Sequence, residues 1–411
     1  MGFLAAFPRR WKPWQLILAV VALLAAGLVV FYPKPPRPPA SITSVADLDA
    51  YLEKLTRFGT PQGLTLVVTK NGQTLYSKGF GMADRPRNIP ASPETIYHWW
   101  SVTKIPTAIA ILQLQEQGKL RLDDPVVKYL SFFKVEYPSV QSQVITIRHL
   151  LNHSSGLPDA GLPIITWVHH EDEPALNQTA LLKRLLPRYS KLAFEPGAYT
   201  QYSNVGYMVL GAIIEEVSGQ SYEAYVREHL LEPLRMKHTD FLYTKVMEPN
   251  EAAGGHPVYD YTTPLVPFLA ASYVREVSGG HIWFKRIYND QTPPTGLIGS
   301  AVDAARLASA YMNGGELDGE RILSPESVAL MSHESYMKGK GAEPAYYARQ
   351  GLGWQVYQSR GGMTLRHEGG GLGFSTCMQL HPDEKLSFVL FTNDTKSECW
   401  RIMDLVASLK W

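Results

Sequence analysis

Cysteine is nearly missing from this sequence, with 2 in 411 residues, so the disulfide framework of a small secreted scaffold is excluded. Charge of one sign is missing too. The formal net charge is +1, and no basic run occurs beyond the N-terminus. The electrostatic footprint of a nucleic-acid binder is therefore absent. No repeat of any period is present, which excludes solenoids and propellers. Neither His-Glu-x-x-His nor Gly-x-Ser-x-Gly occurs, which leaves a zincin metalloprotease and an α/β-hydrolase elbow unsupported. His149 and His153 lie four apart but lack a third metal ligand, and read as packing residues. His169-His170, followed by acidic residues, reads as a solvated loop. What remains is a globular composition, 45% hydrophobic and 19% charged, in a chain able to bury one large core or two modest ones.

The N-terminus departs from that average. Arg9, Arg10 and Lys12 precede an unbroken apolar run from Leu16 to Tyr32, at the short limit for crossing a bilayer. Trp11, Trp14, Phe31 and Tyr32 suit the two membrane interfaces. The expectation is a short cytoplasmic segment (1–14), a transmembrane signal anchor (15–32) and a proline-rich linker, "PKPPRPPA", within 33–41 that holds residues 42–411 outside the membrane. A cleaved signal peptide is the alternative, and both readings export the body. In an oxidising compartment Cys377 and Cys399 have the opportunity to pair, although their spacing does not decide it.

Along the body, "SVADLDAYLEKL" reads as an amphipathic helix capped by Ser44. Asn71-Gly72 between two apolar runs marks a hairpin. Residues 101–250 are mainly helical in pattern, whereas 251–295 are irregular and aromatic, like an inserted loop or lid. The last part alternates as antiparallel strands, turned by "HPDEK", before a closing helix over 395–410. Strands at both chain ends with helices between them predict an α/β fold of the α+β type. One antiparallel sheet is built from both ends, flanked by helices, with a mainly helical lobe against it.

The chemistry starts from "HWWSVTKIPTAIAILQLQEQ". A serine hydroxyl is a poor nucleophile until a base takes its proton. Three residues are roughly one helical turn, so Ser101 and Lys104 share a face at the head of an apolar helix. A helix starting near Ser101 would aim its amides at a forming oxyanion, and burial there would lower the lysine's proton affinity. Pro106, just past such a first turn, predicts a tightened or bent start. Ser-x-x-Lys alone is weak evidence, because Ser131/Lys134 and Ser335/Lys338 repeat it in loops. Two further motifs converge with it: Tyr202-Ser203-Asn204 before an apolar helix, and His367-Glu368-Gly369 on a late strand. Tyr-x-Asn recurs at Tyr311–Asn313, but His-x-Gly does not recur.

The order Ser-x-x-Lys, Tyr-x-Asn, His-x-Gly resembles the penicillin-recognising serine hydrolases. The branch it resembles holds class C β-lactamases, D-alanyl-D-alanine carboxypeptidases and related esterases. "GKLRLDDPVVKYL", "IRHLLNHSSGLP", "FEPGAYTQYSN" and "YARQGLGW" extend the likeness from about residue 42 to the end. The resemblance implies the DD-peptidase/β-lactamase-like fold and an acyl-enzyme mechanism without metal or cofactor. By it Ser101 is the nucleophile, Lys104 helps take its proton and Tyr202 is the general acid/base. Asn204 positions substrate and Lys104. His367 and Gly369 belong to the substrate-binding strand, and Gly370 supplies the second oxyanion amide beside that of Ser101.

Where relatives carry Lys-Thr-Gly or His-Thr-Gly, this chain places Glu368, whose charge should repel a substrate carboxylate. Arg366 is expected on the opposite strand face, so it is not counted against that charge. Trp99 and Trp100 are bulkier than the family leads one to expect. The reading is a membrane-anchored, extracytoplasmic esterase or peptidase acting on a small-molecule or peptide substrate. A cell-wall D,D-carboxypeptidase or weak class C-like β-lactamase is the alternative, and a non-catalytic peptide or lipid receptor a further one.

Overall fold

The structure, a computed structural model, describes residues 35–159, 168–260, 262–332, 350–359 and 362–411. The apolar run expected to anchor the chain, and Ser335/Lys338, lie outside these residues. Among the described residues no helix is long and apolar enough to cross a membrane.

The first helix, α1 (Val45–Phe58), begins where the sequence places it. Ser44 accepts the Asp47 amide, and the Asp47 carboxylate returns the bond to the Ser44 amide, so two orphan N–H groups are satisfied. Strands β1 (Gly63–Lys70) and β2 (Gln73–Asp84) follow, joined by Asn71 at φ 54° and Gly72 at φ 77°. Two successive left-handed residues match the twist of a hairpin. The short β3 (Ile89–Pro90) pairs with the end of β2.

The late strands are β9 (Gln355–Ser359), β10 (Gly362–Gly371), β11 (Phe374–His381) and β12 (Leu386–Thr392). They complete a seven-stranded antiparallel sheet in the order β9-β10-β11-β12-β1-β2-β3. Both chain ends therefore meet at the β1–β12 ladder, in the register Leu64↔Thr392 to Lys70↔Leu386.

β1 is buried along nearly its whole length because both of its faces are covered. Leu64, Leu66 and Val68 pack with Leu48, Leu52 and Leu55 of α1 and with Ile402 and Met403 of the last helix, α5 (Cys399–Ala407). A disulfide between Cys377 on β11 and Cys399 fastens α5 to that face. On the other face Ser309 of α4 (Ala301–Met312) hydrogen bonds Thr69 at 3.2 Å. Beyond α4 the helical lobe is built around α2 (Lys104–Glu116) and α3 (Asn204–Ser218). α2 is buried on every side from Lys104 to Leu114, which marks an interior helix rather than an amphipathic one.

Two expectations need correction. The segment 251–295 is not irregular throughout: β5 (Gly255–Pro257), β6 (Val274–Ser278) and β7 (His281–Phe284) form a small sheet. The Gly255 amide donates to the carbonyls of Gly373 and Asn393, so this segment is bound to the main sheet. His169 is not solvated either. It sits on β4 (Val168–His170), which pairs with β8 (Ile287–Asn289), and its Nδ1 lies 2.8 Å from the buried Asp290 carboxylate.

Candidate active site

A 3₁₀ turn, Trp100–Thr103, carries Ser101, and α2 begins only at Lys104. That 3₁₀ turn is the tightened start that Pro106 predicts. The proline falls in the first α-helical turn, where its missing N–H has no intrahelical partner to lose. Trp100 adopts φ 48°, a left-handed conformation that a bulky residue takes only when its surroundings hold it there. Three contacts do so. The Trp99 amide donates to Leu297 O at 2.8 Å, Thr376 Oγ1 donates to Trp99 O at 2.8 Å, and the Trp100 ring packs closely against Gly371.

The glycines of β10 are what admit this turn. A Cβ on Gly369 would stand 2.2 Å from Trp99 O and 3.0 Å from the Ser101 amide nitrogen, and one on Gly371 would stand 2.3 Å from the Trp100 ring. A Cβ on Gly370 would meet nothing within 4 Å. The two bulky tryptophans therefore fit because the facing strand has no side chains at the points of contact.

Lys104 is fully buried. Its Nζ lies 3.3 Å from Ser101 Oγ, 2.7 Å from Asn204 Oδ1 and 3.1 Å from the carbonyl of Pro294, and 4.6 Å from the centre of the Tyr202 ring. Burial pushes the ammonium well below the usual lysine range, and the charge of Asp159 partly opposes this. Burial likewise pushes the Tyr202 phenol up, offset in part by the Ser101 hydroxyl it faces. Burial therefore favours the neutral form of both groups, the phenol of Tyr202 and the amine of Lys104.

The two histidines beside this pair are neutral. His367 is driven down to about 3, first by burial and then by the Lys104 charge, and its Nδ1–H donates to the Glu368 carbonyl at 2.9 Å. His153, also driven down by burial, stacks on Tyr202 with ring centres 4.6 Å apart and accepts the Ser203 amide at 3.2 Å.

Ser101, Lys104, Tyr202 and Asn204 thus come together, and Gly369 and His367 adjoin them on β10. Ser131 is exposed, outside this cluster. The repeat Tyr311 is bound to Val328 O at 3.1 Å within α4's surroundings. Two contributors had no signal in the sequence, Asp159 and the Pro294 carbonyl. Each depends on loops that meet only in three dimensions. His153 has the packing role read from the sequence.

Glu368 and Arg366 are two residues apart and so share a face, contrary to the expectation for Arg366. Both meet Trp400 of α5: the indole N–H donates to the Glu368 carboxylate, and the Arg366 guanidinium lies 5.0 Å over the ring while pairing with Asp404 at 2.7 Å. The Glu368 charge still reaches Tyr202 and helps to raise its phenol. Beyond Trp100 a cavity of about 500 Å³ is lined by His98, Tyr243, Phe284 and Phe374, with the Arg275–Asp84 and Arg286–Glu251 ion pairs at its walls. None of the four clustered side chains lines it. Among the described residues no group of side chains is arranged to hold a metal ion.

A family model described as Beta-lactamase matches residues 48–407. The putative penicillin-binding protein PbpX of Bacillus subtilis (strain 168) is 31% identical over 310 residues, covering 73% of this chain and 68% of that protein. Protein flp of Staphylococcus aureus (strain MW2) is 35% identical over 213 residues, 51% of this chain, and the chain spans only 41% of that relative's own length. In structure the chain is similar to the octameric penicillin-binding protein homologue from Pyrococcus abyssi, with a TM-score of 0.71 and 25% identity. That likeness covers 89% of this chain and 77% of that one.

Proposed function

The chain belongs to the Beta-lactamase family, and on that premise we propose that it is a serine hydrolase forming an acyl-enzyme at Ser101. One observation carries the reading. A fully buried lysine whose proton is loosely held lies 3.3 Å from the serine hydroxyl, fixed by Asn204 and the Pro294 carbonyl.

Ser101 Oγ attacks the substrate carbonyl as its proton passes to Lys104 Nζ. Tyr202, still protonated, completes the proton path to the leaving group. Negative charge on the carbonyl oxygen is met by the amides of Ser101 and Gly370, each such donor being worth ~10²–10³ in rate. The leaving group departs protonated; water then attacks the acyl carbon as its proton passes to the same Tyr202–Lys104 pair, the Ser101 Oγ–acyl bond breaks, and that proton returns to Oγ as the acid leaves. Asn204 holds Lys104 and the substrate amide in register.

The third motif favours a neutral ester or amide over a carboxylate-bearing substrate. His367 is uncharged, Glu368 is an acidic residue and Arg366 is engaged by Asp404, so among the described residues of this motif no cation is left to receive a carboxylate. The penicillin-binding names of the relatives favour a second reading, cell-wall D,D-carboxypeptidase or β-lactamase activity. We further propose that residues 15–32 anchor the protein and that the body lies outside the cytoplasm. The Cys377–Cys399 disulfide fits an oxidising compartment.

The test is kcat/KM on a short-chain chromogenic ester and on a chromogenic cephalosporin, with Ser101→Ala as blank. Ester turnover lost in Ser101→Ala is expected; turnover retained there refutes the nucleophile. Cephalosporin turnover or stable acylation would move the assignment to the cell-wall reading. Glu368→Thr should raise kcat/KM for carboxylate-bearing esters relative to neutral ones, and an unchanged ratio would remove Glu368 from specificity.

A further inference from the structure

Asp159 lies at the start of α3, where a carboxylate often does no more than complement the helix dipole. Here the capping role is already filled, because Ser203 Oγ accepts the Gly206 amide at 3.1 Å. Asp159 Oδ1 instead binds one residue twice: it accepts the Asn204 backbone amide at 3.1 Å and the Asn204 side-chain Nδ2 at 3.3 Å. A carboxamide has one donating end and one accepting end. With Nδ2 turned to a carboxylate, Oδ1 must face the other way, and it meets Lys104 Nζ at 2.7 Å. The line Asp159–Asn204–Lys104–Ser101 is therefore polarised from end to end.

The other ionisable groups around Lys104 do not replace this charge. His153 and His367 are held neutral, and Tyr202 and Tyr207 are held as phenols. Glu368 acts on Tyr202 and is bound by Trp400. Asp159 is the carboxylate whose field acts on Lys104, and it also acts on Tyr202.

We propose that Asp159 is a positioning residue and the counter-ion of the catalytic cluster: it fixes the Asn204 amide against Lys104, and its charge governs how readily Lys104 releases its proton. The proposal rests on the serine hydrolase reading above. The sign follows from electrostatics. A nearby negative charge favours the ammonium, so it keeps the base protonated to higher pH. Removing that charge while keeping the shape should extend activity toward acid.

The experiment uses the full chain in detergent and p-nitrophenyl acetate, with kcat and KM measured across pH and Ser101→Ala as blank. Asp159→Asn is isosteric and should shift the acid limb of kcat/KM down by about one pH unit, with KM little changed. Asp159→Ala should shift the limb similarly and also lower the plateau of kcat, because Asn204 loses its anchor. Asp159→Glu keeps the charge and should keep the limb at the wild-type position, a readout that mere loss of folding would not reproduce. An acid limb that depends on Ser101 but ignores Asp159→Asn, or one that Asp159→Glu shifts as far as Asn does, overturns the proposal alone. Turnover by Ser101→Ala at the wild-type rate would overturn the hydrolase reading and this proposal with it.

Discussion

Neighbouring glycines on β10 make opposite predictions for the same substitution. An alanine at Gly369 puts its methyl 2.2 Å from the Trp99 carbonyl and 2.5 Å from Thr376 Oγ1. Reaching the 3.4 Å of ordinary contact requires the turn and the strand to separate by about 1.2 Å, since the first obstacle is backbone. That separation moves the Ser101 amide away from the substrate oxygen and stretches the 2.8 Å bond from Thr376 to Trp99 O. A misplacement of about 1 Å costs ~10² in rate, and loss of an oxyanion donor costs ~10²–10³. Overpacking of this kind also destabilises by about 1–3 kcal/mol. Gly370→Ala meets nothing within 4 Å and should stay within about 0.5 kcal/mol of wild type in stability, with a rate loss well below that of Gly369→Ala. The assay is kcat/KM on the chromogenic ester together with a urea midpoint for each variant. Equal activity in the two variants, or greater damage at Gly370, would refute the close-approach argument.

The remaining predictions concern stability. Cys377→Ala with Cys399→Ala opens a loop with a sequence separation of 22 and should cost about 3 kcal/mol. Ester turnover should survive, because the disulfide lies on the face of the sheet away from Ser101; a urea midpoint unchanged by the double substitution or by reductant would contradict this. His98 and His367 are both depressed from 6.5 to about 3, by burial and, for His367, also by Lys104. The unfolded chain takes up both protons near pH 6.5 whereas the folded one resists until about 3. Their contribution is therefore complete above pH 6.5 and is lost as the pH falls toward 3, on the order of 2 kcal/mol for each histidine near pH 5. Urea midpoints at pH 7.5 and pH 5 should differ accordingly, and His98→Gln should shrink the gap; coincident midpoints would show that neither histidine is held neutral.

Much of the site was legible because its motifs are local. Ser101 and Lys104 are joined by one turn of chain, and Tyr202 and Asn204 flank a helix start whose cap, Ser203, is itself a sequence signal. The hairpin at Asn71-Gly72 and the cap at Ser44 were readable for the same reason, since each is fixed by the conformational preference of one or two residues. Errors arose where a neighbour distant in sequence decides. His169 reads as solvated until Asp290 pairs with it across β4 and β8. Pro106 signals a tightened start, whereas only the packing of the Trp100 turn against β10 sets the α-helical start at Lys104.

The sequence by itself determined the two-ended antiparallel sheet and the helical middle, through periodicity and caps. It named the candidate set Ser101, Lys104, Tyr202 and Asn204 through the order of motifs that carries the family resemblance. Tertiary structure alone decided the protonation of the set and the identity of its supports. A lysine's proton affinity depends on water excluded and charges assembled from all directions, and Asn204, Asp159 and Pro294 reach Lys104 from three separate parts of the chain.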